Sequence, residues 1–161
     1  VLSATVKVPL KKLPPPEQAR EQYNRRAEAL ADLQRAGADA ERIKAATYQV
    51  KRAHIALHSA EKYDGMTTAG IETQLMRIGT DIALVGAQIE PFAEIGIRLK
   101  RLSPFAVTLV GGYSGGVMGY MPVAQAYEEG GYEVDTSPYA PEAAEHFIRG
   151  VESLLHQLKI C

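Results

Sequence analysis

A strand–helix–strand order in the middle of the chain most limits the folds open to this sequence. The apolar run IALVG at 82–86 has the composition of a strand, and Pro91 begins a helix with Ile95 and Leu99 on its apolar side. A second apolar run, FAVTLVG at 105–111, is typical of a strand buried on both faces. Because parallel strands need a crossover connection, the order predicts an α/β fold with a mixed, largely parallel sheet and flanking helices.

The first 70 residues predict a strand followed by two helices. Apolar and polar residues alternate over 5–10, as on a half-buried strand, and three prolines at 14–16 end the pattern. Apolar stripes at helical spacing lie before and after Gly37, and Asp39 has the side chain of a cap for the second helix. We expect these two helices to form a hairpin near the N-terminus.

The later half of the chain adds a strand hairpin and further helices. Strand-like runs at 71–78 and 82–86 flank a Gly-Thr-Asp turn at 79–81, which favours a hairpin. A short helix is expected within 122–129, and the apolar spacing over 141–159 predicts a closing amphipathic helix.

Length and composition predict one domain and exclude several partners. The 161 residues suit a single domain or fragment, divided into residues 1–70 and an α/β core at 71–161. With 18 Lys and Arg against 19 Asp and Glu, the net charge of -1 gives no reason to expect nucleic acid. The single Cys161 excludes an internal disulfide. We expect a soluble chain without signal peptide or membrane span, of unknown compartment, and Val1 in place of Met suggests a piece of a longer protein.

A G-x-S-x-G motif around Ser114 raises the question of a serine nucleophile. The motif follows an apolar strand, and Asp135 and then His146 or His156 come in the order of an α/β-hydrolase triad. However, Pro122 interrupts the helix that should follow the serine, and the triad residues are crowded into a short segment. We therefore favour a glycine turn at a strand end and keep a small serine hydrolase as the weaker alternative.

Two other site patterns are also weak. His54 and His58 are four residues apart on a predicted helix, so their rings can share a face as two metal ligands must. A third ligand and the glutamate of an HExxH motif are missing from the sequence around them, which favours a structural role. The glycine-rich run does not have the spacing of either phosphate-binding motif.

One carboxylate and a group of tyrosines remain as candidates. Glu90 follows the strand IALVG directly before a helix, where ligands gather in parallel sheets, although a carboxylate there also favours the helix macrodipole. Tyr113, Tyr120, Tyr127 and Tyr132 crowd the region after the next strand. A phenol there has three possible roles. It is a half-buried aromatic whose hydroxyl group contacts solvent, or a metal ligand, or a hydrogen-bond donor to an oxyanion that develops during a reaction.

The segment from Ile78 to Leu158 resembles the later part of the catalytic domain of the neutral/alkaline non-lysosomal ceramidase family. The resemblance rests on IGTDIALVGAQIEPFAEIGIRLKRLSPF, then VTLVGGYSGGVMGYMPVAQAYEEGGYEV, then the closing amphipathic helix. It covers about half of the chain, and residues 1–70 are compatible with it but less distinctive. It implies a zinc amidase that splits ceramide into sphingosine and fatty acid.

The resemblance also implies site residues. Glu90 takes the place of a zinc ligand, Tyr120 in MGYMP matches a zinc-ligating tyrosine, and Tyr132 in GGYE matches a tyrosine that helps to hold the oxyanion. Ser114 then lies in the loop that carries Tyr120 and is not the nucleophile. The family's two zinc histidines and catalytic serine belong to an earlier segment that nothing here matches, so zinc is expected by resemblance only.

The sequence differs from the family pattern at two places. Gln88-Ile89 replaces the Pro-Gly before the glutamate, and Gly115 stands where the family commonly has asparagine. We expect a fragment of a ceramidase-like amidohydrolase, inactive alone, with an N-acyl lipid or amide as substrate and the N-terminal half of the catalytic domain as partner. The rival is an inactive fold remnant or protein-interaction domain, and a homo-oligomer stays open.

Overall fold

The computed structural model describes residues 1–160, so Cys161 lies outside the described residues. Two compact units are present: residues 12–66 form one, and residues 1–11 with the chain from residue 67 onward form the other. The elements in chain order are β1 Leu2–Pro9, α1 Pro16–Arg35, α2 Ala40–Lys62, β2 Thr68–Ile78, β3 Ile82–Ala87, β4 Glu90–Pro91, α3 Ala93–Leu102, β5 Val107–Gly111, β6 Tyr120–Met121, α4 Ala126–Glu129, α5 Tyr132–Thr136 and α6 Ala143–Ile160.

The smaller unit is the predicted helical hairpin. Proline occupies the start of α1, where its missing N–H leaves no hydrogen bond unmade. The Asp39 carboxylate caps α2 by accepting a hydrogen bond from the backbone N–H of Arg42 over 2.9 Å, as the sequence indicated. Ala19, Leu57 and Ala60 form the buried contact of this unit.

Along residues 1–160 no helix is long and apolar enough to cross a membrane.

The larger unit contains a four-stranded mixed sheet with the order β1-β2-β3-β5. The predicted mixed α/β class is confirmed, but only the β3–β5 pair of this sheet is parallel. The parallel share is smaller than expected because the turn at 79–81 joins β2 to β3 as a hairpin, and a tight turn allows only antiparallel pairing. A second, two-stranded parallel sheet pairs β4 with β6.

Helix α6 covers one face of the four-stranded sheet. Gly150 allows a close approach, since a Cβ atom at this position would lie 2.6 Å from Cγ1 of Val6 on β1. An ion pair of 2.6 Å between Arg98 on α3 and Glu145 on α6 lies on the surface of this helical layer. The buried residues of α6 are Ala143, Ala144, Phe147, Ile148, Val151, Leu155 and Leu158.

The opposite face of the sheet is apolar and largely exposed where the end of β2 pairs with β3 and β3 pairs with β5, and we call this part the open face. Strand register places Ile78, Ile82 and Val107 in one row across the sheet, and Met76, Leu84 and Leu109 in the next row. Val107 and Leu109 are 46% and 53% exposed, so the prediction that FAVTLVG is buried on both faces is wrong for β5. An apolar run predicts burial, but the described residues cover only the side of β5 that carries Thr108.

Candidate functional site

The candidate site is built on the short parallel pair of β4 and β6. The backbone N–H of Glu90 donates to the carbonyl of Gly119 over 3.0 Å, and the N–H of Phe92 donates to Met121 over 3.2 Å. These bonds place Glu90 opposite Tyr120. Partners in a parallel pair project their side chains to the same side, so a carboxylate and a phenol that are distant in the chain become neighbours.

Hydrogen bonds hold the glycine-rich loop between β5 and β6 against the segment before β4. The N–H of Tyr113 donates to the carbonyl of Ile89 over 3.1 Å, and the N–H of Met118 donates to the carbonyl of Gln88 over 2.7 Å. The side-chain amide of Gln88 donates in turn to the carbonyl of Gly115 over 2.9 Å. Gln88, which stands where the ceramidase pattern has proline, therefore holds the loop from both its backbone and its side chain.

Glycine at position 112 is required by this close approach of two backbones. A Cβ atom there would lie 2.6 Å from the carbonyl oxygen of Ile89 and 2.9 Å from Cδ of Pro91. The side chain of Ile89 is completely buried, so the bulky residue found in place of the family's glycine anchors the residue before Glu90 in the core. Packing of Ile89 thus fixes the backbone that presents the carboxylate.

The third predicted residue, Tyr132, reaches the same place from α5. Gly130 and Gly131 both have positive φ and separate α4 from α5, at the point where the sequence predicted the end of a helix. The Tyr132 ring meets the Tyr120 ring edge-on, with ring centroids 6.1 Å apart and an interplanar angle of 73°. Glu90, Tyr120 and Tyr132 therefore lie together, while their roles stay predictions.

Glu90 and Tyr120 line a cleft with a volume of about 680 Å³. Tyr113 and Glu133 join Glu90 and Tyr120 in its wall, and Phe92 contributes an apolar patch. A cleft of this size can hold part of a small organic ligand. The sequence placed Tyr113 in the tyrosine-rich region without a role, and Glu133 could have been found as the residue after Tyr132 in the GGYE motif.

The carboxylate of Glu90 changes the ionisation of two phenols in the cleft. The hydrogen bond that Glu90 accepts from Tyr113 raises the pKa of Tyr113 to about 12, with smaller contributions from desolvation and charge repulsion. The pKa of Tyr120 is also raised, first by its hydrogen bond to Glu90 and then by the negative charge of that carboxylate. Both phenols therefore keep their protons at neutral pH and can donate to Glu90.

A buried tyrosine behind the cleft supports the strand that carries Tyr120. The phenol of Tyr139 donates to the carbonyl of Met118 over 2.8 Å, and its own carbonyl accepts a 2.8 Å hydrogen bond from the phenol of Tyr127. Burial raises the pKa of Tyr127, because the phenolate form would be poorly solvated there. Nothing in the sequence distinguishes Tyr139, since an isolated tyrosine carries no periodic signal.

The cleft fits one side of a zinc site but not a complete one. Glu90 offers a carboxylate, which is a known zinc ligand, and Tyr120 offers a phenol beside it. Zinc usually takes four ligands, and among residues 1–160 no three His, Cys, Asp or Glu side chains are grouped to hold a metal ion. His54 and His58 belong to the helical hairpin, where the His54 ring lies 5.6 Å from the Tyr23 ring.

Ser114 lies outside the Glu90 cleft. Its hydroxyl is 3.5 Å from the carbonyl of Gly112, and its Cβ is 2.8 Å from the position that a Cβ on Gly86 would take. Gly86 belongs to the open face, whereas α6, with His146 and His156, packs on the other face. The structure therefore does not bring Ser114 together with the histidines of the serine-hydrolase alternative.

Comparison with solved structures gives a likeness of fold. The crystal structure of neutral ceramidase from Pseudomonas aeruginosa matches with a TM-score of 0.50 and 21% sequence identity, over 58% of this chain and 15% of that chain. A ceramidase complexed with C2 matches with a TM-score of 0.45 and 21% identity, over 55% of this chain and 14% of that chain. No protein-family model matches the sequence, and no significant match was found among curated proteins.

The likeness to the Pseudomonas aeruginosa structure confirms the fold-level part of the resemblance seen in the sequence. At 21% identity it shows a shared fold and no more. The chain spans 15% of the length of that ceramidase, so the activity of the whole enzyme does not transfer with the fold.

Proposed function

We propose that this chain supplies part of the active site of a ceramidase-like amidohydrolase. The reaction is hydrolysis of the N-acyl amide bond of ceramide or a related N-acyl compound, in which water adds across the C–N bond to release a fatty acid and an amine. One observation carries the proposal: Glu90 and Tyr120, selected by motif order, are neighbours in one cleft, and the ring of Tyr132 packs against Tyr120.

In this proposal Glu90 and Tyr120 hold one side of a zinc ion, and the remaining ligands come from outside the described chain. A bound zinc ion would act as a Lewis acid toward the amide carbonyl. Glu90 contributes the negative charge that a cation needs, and the β4–β6 register keeps the Tyr120 phenol beside it. The fastened glycine loop limits the movement of both groups.

Tyr132 is proposed as the donor to the amide oxygen. Its ring packs edge-on against Tyr120, so its position is tied to that of the proposed ligand. A phenol donates a hydrogen bond that becomes stronger as negative charge develops on the carbonyl oxygen. Tyr132 thus stabilises charge, while Glu90 and Tyr120 bind the cation.

The open face supports the expected partner, which is further polypeptide of a larger catalytic domain. The outer members of its two apolar rows, Met76, Ile78, Val107 and Leu109, are exposed, and large exposed apolar patches mark interaction sites. Strand β5 is also an edge strand of the sheet. Because the similar ceramidase chain is several times longer than the matched part, we propose that additional chain of this kind covers the open face.

Zinc binding tests the proposed ligands directly. In the protein that contains this chain together with the rest of the catalytic domain, isothermal titration calorimetry with Zn²⁺ should show that Glu90→Gln and Tyr120→Phe each weaken binding at least about tenfold, because each removes a ligand. Glu129→Gln and Tyr48→Phe are matched controls from outside the cleft and should leave the affinity unchanged. Equal zinc affinity in all four variants and the original chain would remove the site from consideration.

Ceramide hydrolysis tests the role of Tyr132. In the protein that contains this chain together with the rest of the catalytic domain, Tyr132→Phe should reduce kcat by about 10²–10³ while zinc content stays unchanged. A Tyr132→Phe enzyme with unaltered kcat would contradict the assignment of Tyr132.

The open face also favours the second candidate, a protein-interaction domain without activity. Sedimentation analysis of the chain and of Leu109→Lys measures the oligomeric state and so tests whether a second copy of the chain covers the open face. We expect a monomer for both, with dye binding to exposed apolar surface reduced in Leu109→Lys. A dimer that Leu109→Lys dissociates would assign the open face to a second copy instead.

A further inference from the structure

The backbone of Tyr113 has a conformation that its residue type does not favour. Its φ is +57°, and within residues 1–160 it is the one residue other than glycine with positive φ. A bulky L-residue in the left-handed region costs about 1–2 kcal/mol, which is why glycine usually occupies such positions. Five of the nine residues at 111–119 are glycine, so the presence of tyrosine at 113 needs its own explanation.

Burial does not explain the tyrosine. The side chain of Tyr113 is 61% exposed, so packing in the core cannot offset the backbone strain. Its backbone N–H bond to Ile89 could be made equally well by glycine, since that bond uses no side-chain atom. The remaining distinctive contact is that of its phenol with Glu90, across the cleft that both residues line.

We propose that Tyr113 is a positioning residue that holds the Glu90 carboxylate in the cleft through its phenol, and that its left-handed backbone aims the ring there. Strained residues of this kind concentrate at functional sites. Tyr113 and Tyr120 both line the cleft with Glu90, so two phenols can donate to the carboxylate and restrict its orientations. The consequence for cation binding rests on the proposed function, whereas the contact with Glu90 does not.

Carbon-13 NMR of the glutamate carboxyl groups tests the contact without metal. The Glu90 resonance is assigned by its loss in Glu90→Gln and compared between the original chain, Tyr113→Phe and Tyr113→Gly. We expect both Tyr113 variants to displace the resonance, while the control Tyr48→Phe leaves it unchanged. An unchanged Glu90 resonance in Tyr113→Phe would overturn the proposal.

Stability measurements and Zn²⁺ titration separate positioning from a general structural role. Tyr113→Phe keeps the ring and should leave the urea midpoint unchanged, and Tyr113→Gly should keep it equal or raise it, because glycine relieves the positive φ. In the protein that contains this chain together with the rest of the catalytic domain, isothermal titration with Zn²⁺ should show binding weakened about 10–100-fold by Tyr113→Phe, as for other residues that orient a ligand. An unchanged zinc affinity despite a displaced resonance would also overturn the positioning role. If that larger protein binds no Zn²⁺, the proposed function fails, and the metal-free resonance alone decides the inference.

Discussion

The helix-covered face of the sheet and the cleft beside β4 and β6 are held in place by different forces. On the covered face, large side chains such as Phe147, Ile148 and Leu155 are almost completely buried. In the cleft, Tyr113 is mostly exposed, and backbone hydrogen bonds and glycine contacts place the functional side chains. Burial stabilises the first region, and backbone geometry defines the second.

This difference predicts that the two regions respond differently to substitution. Removing buried methyl and methylene groups should lower stability, because apolar burial is the main favourable term in folding. Replacing a polar group in the cleft should instead change ionisation or ligand binding with little loss of stability. Four measurements examine this separation, beginning with the largest expected effect.

The largest effect is expected for Leu155→Ala on the covered face. Leu155 is fully buried, and its truncation should lower the free energy of unfolding by about 2–5 kcal/mol through lost burial and an internal cavity. Urea unfolding followed by circular dichroism measures this change, and Gln157→Ala on the exposed side of α6 is the control. A loss similar to that of the control would show that α6 is not packed as described.

Gly112→Ala should show that the cleft depends on close backbone contact. Its new Cβ would lie 2.6 Å from a backbone oxygen, so overpacking should cost about 1–3 kcal/mol in unfolding free energy. Gly96→Ala is the matched control, because a Cβ there meets nothing within 4 Å and alanine favours the helix. Equal unfolding midpoints for the two variants would contradict the description of the loop.

Glu90→Gln should change phenol ionisation. Without the carboxylate charge, the pKa of Tyr113 should fall from about 12 toward its ordinary value of about 10, and that of Tyr120 should fall in the same direction. Because the pKa of Tyr113 is raised, its phenol keeps its proton and can donate to Glu90 until the pH rises through about 12. Ultraviolet absorbance of tyrosinate during alkaline titration measures this, with Glu94→Gln as the control. An identical titration of Glu90→Gln and the original chain would refute the Glu90–phenol contacts.

The smallest effect is expected for Arg98→Met at the surface of the helical layer. Arg98 and Glu145 are both more than a third exposed, so solvent screening limits their ion pair to about 0–1 kcal/mol. Arg98 lowers the pKa of Glu145, so this stability is present above the ordinary pKa of the carboxyl and lost as pH falls through its folded value. Urea unfolding at neutral and strongly acid pH should show a difference only at neutral pH. A loss of several kcal/mol would show that exposed charges contribute to the covered face as much as burial does.

Much of the fold could be predicted because its signals are local. The helical hairpin, the Asp39 cap, the β2–β3 turn and the closing helix follow from periodicity and from capping and turn residues that act within a few positions. The exposure of β5 could not be predicted in this way. An apolar strand looks the same whether its second face is covered by this chain or by another polypeptide.

For the candidate site, the sequence predicts which residues take part, whereas their arrangement in space depends on the tertiary structure. Residue types and motif order in the sequence were enough to select Glu90, Tyr120 and Tyr132, because the chemistry of a carboxylate or phenol belongs to the residue itself. Their meeting depends on the β4–β6 register and the fastened glycine loop, which join segments far apart in the chain. The contact of Tyr113 with Glu90 and the support from Tyr139 likewise exist only in the tertiary structure, because hydrogen bonds between distant segments leave no periodic pattern in the sequence.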